Sequence, residues 1–232
     1  SGGLVGNVTV ELVGVDGGAS GSSGVRYAYE RVVSAEAAAP AGAEIPDVSV
    51  EGVRPSFGRL TGGTVVTLTG SGLRWEGMGE LRCRFGSRVS GVARATSSSM
   101  VQCATPEATD GGRVVVGLEA DGQQVWEGGE VYAYEATPSV SSVYPGSIKA
   151  ASVHDEAVMV TVYGKHFRSD RDLRCKLGGA SGKVAEAVFV SSTSIVCGVV
   201  AGGQRRAVLE VSSNGQDYSQ DGVGLQVMME RY

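Results

Sequence analysis

The side chains in this 232-residue chain with the strongest claim to chemistry are four cysteines, two histidines and two tryptophans. Cysteine thiolates bind zinc, but structural zinc sites draw their ligands from closely spaced C-x₂₋₄-C pairs, and no such pair occurs. His154 stands in "VHDE" (153–156), which offers His, Asp and Glu to a metal. Adjacent residues of an extended strand point to opposite faces, so these three do not converge. His166, in "GKHF", reads as a polar turn residue. The chain has no G-x-S-x-G nucleophile elbow, no G-x-x-x-x-G-K-[ST] phosphate loop and no H-E-x-x-H zinc helix, and it reads as non-catalytic, with no cofactor and no metal. The run "RSDRDLRCK" (168–176) interleaves Arg168, Arg171, Arg174 and Lys176 with Asp170 and Asp172, so its charges largely cancel into a solvated face. Trp75 and Trp126 are candidate contacts for a partner or a glycan, since exposed indoles stack on sugars and anchor interfaces. The competing role for both is to cap the end of a core.

The cysteines acquire a pattern when the chain is compared with itself. Aligning Cys83 with Cys175 matches "RCRFG" to "RCKLG", and aligning Cys103 with Cys197 matches "SSSMVQC" to "SSTSIVC". Upstream, "VVTLTG" (65–70) matches "VTVYG" (160–164), both alternating strands that end on Gly70 or Gly164, where a backbone turn is expected. Downstream, "VTVELVGVDGG" (8–18), "RVVVGLEADGQ" (113–123) and "RAVLEVSSNGQ" (206–216) each run an alternating strand into Asp-Gly or Asn-Gly, the signature of a tight two-residue hairpin turn. Strands opening at Tyr27, Tyr132 and Leu225 then close each copy.

These repeats give the organisation. Residues 47–135 and 136–232 are two complete units. Residues 1–46 hold only a closing hairpin, the end of a truncated Ig-like domain or else a hairpin that pairs with strands elsewhere, followed by the small-residue linker "SAEAAAPAGAEI". The short join "YEATPSVSSVYP" (134–145) places the complete units end to end with restricted motion. The repeat selects Cys83–Cys103 and Cys175–Cys197 from the three ways of pairing four cysteines. Four buried free thiols are the remaining alternative. Disulfides persist in oxidising compartments, so the expected location is extracellular or at a cell surface. Asn7 in "NVT" is then a candidate glycosylation site.

Composition narrows the partners. Glycine is abundant (36) and proline scarce (6), as in a turn-rich all-β protein. The net charge of −5 has no strongly basic segment behind it, which disfavours nucleic acid, whose binding rests on clustered Lys and Arg. No apolar run reaches the roughly 18 residues of a membrane-spanning helix, so no membrane insertion is expected within this segment. Because the chain opens on Ser1, it reads as a piece of a longer polypeptide.

The series "VSVEGVRPSFGRLTGGTVVTLTGSGL", "LRCRFG", "SSSMVQCATP", "VVVGLEADGQ" and "VYAYE" resembles the IPT/TIG domain, the immunoglobulin-like unit of plexins, hepatocyte-growth-factor-type receptors and some transcription factors. In residues 47–135 the matching positions are Pro55, Gly62, Gly63, Thr64, Gly70, Leu73, Cys83, Phe85, Gly86, Cys103, Pro106, Asp121, Gly122, Tyr132 and Tyr134. In residues 136–232 they are Pro145, Gly164, Phe167, Cys175, Gly178, Cys197, Asn214 and Gly215, while "HDEA" replaces "GGT" and "LQVMMERY" lacks the aromatic pair, which puts the edge geometry of that unit in question. The resemblance implies tandem immunoglobulin-like β-sandwiches that act as spacer, scaffold or adhesion module through protein partners or neighbouring repeats. It also admits two other roles, carbohydrate-binding accessory domains of a secreted enzyme and a dimerisation module of a transcription factor, the latter disfavoured by charge and by the cysteine pairs.

Overall fold

The computed structural model describes residues 47–74, 79–149, 157–178, 182–200 and 205–228. The hairpin and linker expected in 1–46, with Asn7, lie outside them, as do Trp75, His154 and all of "HDEA" but Ala157. The described residues carry strands and no helix.

Alternation builds each strand. In β3 (Val65–Ser71), Val66 and Leu68 are buried while Thr67 and Thr69 face away. In β4 (Leu81–Phe85), Leu81, Cys83 and Phe85 point inward, and in β7 (Met100–Ala104) so do Val101 and Cys103. The first sandwich sets a sheet β1-β3-β7-β6, with β1 (Ser49–Arg54) and β6 (Arg94–Ser97), over a sheet β2-β9-β8-β4-β5. The latter takes in β2 (Phe57–Arg59), β9 (Gln123–Glu135), β8 (Gly112–Ala120) and β5 (Arg88–Val92). The second sandwich repeats this order as β10-β12-β15-β14 over β14-β13-β16-β17-β11. Its strands are β10 (Ser139–Tyr144), β11 (Ser147–Lys149), β12 (Val158–Lys165), β13 (Arg174–Leu177), β14 (Lys183–Ser191), β15 (Ser194–Val199), β16 (Arg206–Ser212) and β17 (Gly224–Met228). One strand, β14, serves both sheets, whereas the first copy divides that path into β5 and β6.

Each sandwich has its own core. One gathers Val66, Leu68, Phe85, Leu118 and Tyr132, the other Val160, Val162, Leu209, Val211 and Leu225. Burial of each such aliphatic side chain contributes about 1.5–3 kcal/mol. A disulfide joins the two sheets of each, Cys83–Cys103 and Cys175–Cys197, both with Cα atoms 6.1 Å apart.

Two sequence expectations need correction. Gly70 and Gly164 lie within strands rather than at a turn. What demands glycine there is close approach: a Cβ would sit 1.9 Å from the carbonyl oxygen of Ser49 or Ser139, beside a register shift in β1 or β10. The second departure concerns the Gly-containing turns. Asp121 (φ 49°) and Gly122 (φ 75°) form the tight β8–β9 hairpin as expected. After β16, by contrast, Gly215 alone of the Asn214–Gly215 pair has positive φ, and β17 starts at Gly224, so residues 213–223 form a long loop instead of a two-residue turn. The Asn214 side chain causes this: its Oδ1 accepts from the Gln216 and Asp217 amides at 3.0 and 2.9 Å, folding the chain into an Asx turn.

The missing aromatic pair does not disturb the edge of the second sandwich. Leu225 and Val227 occupy the buried positions, and β11 pairs in parallel with β17 as β2 does with β9.

Candidate functional site

Among the described residues, the sequence-predicted candidates do not assemble into one site. All four cysteines are buried in the sandwich centres as disulfides. Trp126 lies opposite the buried Leu118 in the β8–β9 register, half-buried on the first core. Its ring covers Gly128, where a Cβ would come within 2.2 Å of it. His166 is exposed in a left-handed turn (φ 61°). Within "RSDRDLRCK", Arg171 and Arg174 pair with Asp172, and Lys176 pairs with Glu210 at 2.8 Å while standing over the Tyr218 ring. Among the described residues no group of three or more His, Cys, Asp and Glu could hold a metal ion.

Polar side chains do converge elsewhere, between the two sandwiches. Only residues 136–138 separate β9 from β10, so the ends of both sandwiches meet. The loop after β16 reaches across. Asp217, 5% exposed, accepts hydrogen bonds at Oδ2 from Thr64 Oγ1 (2.8 Å), Asn214 Nδ2 (2.7 Å) and the Arg59 amide (3.3 Å). Arg59 Nε lies 3.4 Å from Oδ1 and also donates to the Gly62 carbonyl at 2.8 Å, which holds the guanidinium in place. Asn214, 6% exposed, donates to the Phe57 carbonyl at 3.1 Å. Gln216 accepts from the Val65 amide (3.0 Å) and donates to its carbonyl (2.9 Å), so a side-chain amide completes the start of β3 as a strand neighbour would. At the rim Arg168 pairs with Glu135 and lies 4.2 Å over the Phe57 ring, and its amide donates to Ser213 Oγ at 3.3 Å.

The elements explain why these groups meet. Thr64 precedes β3, Arg59 ends β2, and Asp217 stands in the Asx-turned loop, so each side chain comes from a strand end or a short turn. Gly58 leaves the necessary room. A Cβ there would stand 2.3 Å from Tyr132 Oη, 2.4 Å from Thr64 Oγ1 and 2.8 Å from Asp217 Oδ2. Burial pushes the Tyr132 phenol up to about 12, an effect partly offset by the Thr64 and Thr105 hydroxyls beside it. A buried carboxylate with several donors and a guanidinium is costly to disassemble, because each donor left behind would be desolvated without a partner. This arrangement contains no nucleophile paired with a base. What it does is hold one sandwich against the other.

Sequence reasoning missed this joint. The available signal was the density of turn-formers in "SSNGQDYSQDG", where a second Asp-Gly follows the Asn-Gly, as expected of a long loop rather than one hairpin. Arg168, read as part of a solvated run, belongs to the joint.

The IPT/TIG domain model matches residues 49–134 and 138–227, which together span both sandwiches. No curated protein matches the chain. Among solved structures, the full extracellular region of plexin A4 aligns with a TM-score of 0.53 at 16% identity, over 74% of this chain and 16% of the plexin chain. The surface glycan-binding protein PbSGBP-B from Prevotella bryantii aligns with a TM-score of 0.29 at 16% identity, over 71% of this chain and 39% of that one. Invasin, a bacterial integrin-binding protein, aligns with a TM-score of 0.26 at 13% identity, over 79% of this chain and 40% of its own. The chain thus spans well under half the length of these proteins, and the likeness to plexin is one of fold. With matching strand order, one disulfide per sandwich and family matches across both, the chain belongs to the IPT/TIG domain family and carries two of its domains in tandem.

Proposed function

We propose that this chain is a non-catalytic, extracellular segment of a larger multi-repeat protein, and that its work is to hold interaction surfaces at a fixed separation. The observation that carries this reading is the buried Asp217–Asn214–Thr64 joint, which gives the two sandwiches a specific polar contact in addition to a short tether. Interfaces between domains of one chain are commonly small and permit relative motion. A joint with buried, mutually satisfied polar groups favours one orientation, because other orientations leave those groups unpaired. The two disulfides support residence in an oxidising compartment. Protein partners or neighbouring repeats would then meet the exposed strands and loops.

The test is electron–electron distance measurement between one spin label on each sandwich of the whole chain. A single narrow distribution is expected for the wild type, and a broader one for Asp217→Ala with both disulfides intact. A wild-type distribution as broad as that of a flexibly tethered pair refutes the proposal.

A further inference from the structure

The two sandwiches provide an internal comparison, because the same backbone positions carry different side chains. One row crosses the outer face of the first sandwich's four-stranded sheet through paired residues: Arg54, Thr67, Gln102 and Arg94. The equivalent row of the second sandwich is Tyr144, Thr161, Val196 and Val188. The alignment of the two rows is anchored by the Ala93 and Ala187 amides, which donate to the Leu81 and Leu173 carbonyls at 2.7 and 3.3 Å. Where the first copy ends its row on a guanidinium at both edges, the second ends on Tyr144, 72% exposed, and Val188, 61% exposed.

The contrast continues along the edge. Beyond Ala93 the first copy runs Arg94, Ala95, Thr96; beyond Ala187 the second runs Val188, Phe189, Val190, with Val190 58% exposed. Charged and polar side chains on an edge strand oppose its pairing with another chain, and apolar β-branched ones favour it. Among the described residues, β14 pairs with β13 along Lys183–Glu186 and with β15 along Ala187–Ser191; past Ala187, whose amide donates to Leu173, no described strand pairs with the edge of Val188–Ser191 that faces away from β15.

We infer that the outer edge of β14 pairs with the same edge of a second copy of this chain, in antiparallel register about a two-fold axis near Phe189. That register places Val188 of one copy opposite Val190 of the other and leaves Lys183 and Glu186 outside the central contact. Charge argues for a second copy as the occupant. In a two-fold interface each residue near the axis lies close to its own duplicate, so a charged group there repels itself. The segment Ala187–Ser191 contains no charge, and its neighbours across the sheet face, Val196, Thr161 and Tyr144, contain none either. The first copy could not pair in this way, because two Arg94 side chains would be drawn to within two positions of each other. Joining the edges makes one eight-stranded sheet from β10-β12-β15-β14 and its duplicate, with the apolar row extended across the axis. This adds a partner to the spacing role and does not depend on the joint being rigid.

Sedimentation equilibrium of the whole chain from about 1 μM to about 1 mM tests it, with hydrogen exchange of residues 187–191 read at both ends of that range. A reversible dimer is expected, with slower exchange in 187–191 at high concentration. Val188→Arg with Val190→Thr, which copies Arg94 and Thr96 onto an exposed edge, is expected to weaken dimerisation by at least ~10-fold. The same variant should keep both disulfides and the wild-type distance between sandwiches, so a failure here is distinct from a failure of the spacing role. The inference is overturned by a monomer throughout, by a dimer indifferent to the double substitution, or by a monomer whose Phe189 amide is already protected at the lowest concentration, which would assign the edge to another segment of the same chain.

Discussion

Removing the Asp217 carboxylate should uncouple the two sandwiches, and its size can be worked from the contacts. Asp217→Ala strips the acceptor from Thr64 Oγ1, Asn214 Nδ2 and the Arg59 amide, and leaves the Arg59 guanidinium without its counter-charge. A buried donor that loses its partner costs about 1–3 kcal/mol, and breaking one member of a buried charged network costs about 3–5 kcal/mol. Arg59 is over a third exposed and recovers part of its solvation from water, so the lower end, about 3 kcal/mol, is the expected loss. Much of it should reside between the domains, since Thr64 and Arg59 belong to one sandwich and Asp217 to the other. A double-mutant cycle isolates that share. Thr64→Val removes the hydroxyl at nearly constant shape, and the coupling energy between it and Asp217→Ala is expected to be about 1–2 kcal/mol. The assay is urea denaturation followed by a probe in each sandwich. The wild type should unfold with coincident transitions and the Asp217→Ala variant with two separated ones. Coincident transitions in the variant together with additivity within about 0.5 kcal/mol would show that the joint carries no coupling and would refute the reasoning.

Three further outcomes follow from the same geometry. Gly58→Ala places a methyl within 2.8 Å of three polar atoms and should cost about 2–3 kcal/mol, with the interdomain distance distribution broadened as in Asp217→Ala; an unchanged melt would contradict this. Replacing Cys83 and Cys103 with serine opens a loop spanning a sequence separation of 20 and should cost about 3 kcal/mol in the first sandwich, read by calorimetry as a lowered Tm at which the first sandwich melts ahead of the second. Alkaline pH should destabilise the fold through Tyr132. Its folded phenol titrates near 12 against 10 when unfolded, so its contribution is complete below pH 10 and is lost as pH rises towards 12, roughly 3 kcal/mol in all. Tyr132→Phe should flatten that slope in melts recorded between pH 9 and 12, whereas an unaltered slope would assign it to other groups.

Much of the architecture was readable without coordinates because strand burial is a local, periodic property. Val66 and Leu68, or Cys175 and Leu177, alternate with polar residues, and the recurrence of that alternation with the same cysteines specified two sandwiches and their disulfides. Asp-Gly at 121–122 set its hairpin because two left-handed residues are a property of the dipeptide and its strands. Asn-Gly at 214–215 invited the same reading and was misread, because what decides that loop is Asp217 meeting Thr64 and Arg59, more than 150 positions away in the chain. Gly58 is another instance: nothing local marks it, and its need is visible only when Tyr132, Thr64 and Asp217 crowd around it. The sequence alone therefore determined the strands, the repeat and the pairing of the cysteines, all of which depend on near neighbours or on self-similarity. The joint, the role of Arg168 and the contrast between the two sheet edges were decided by tertiary structure, since each depends on groups that only folding makes adjacent.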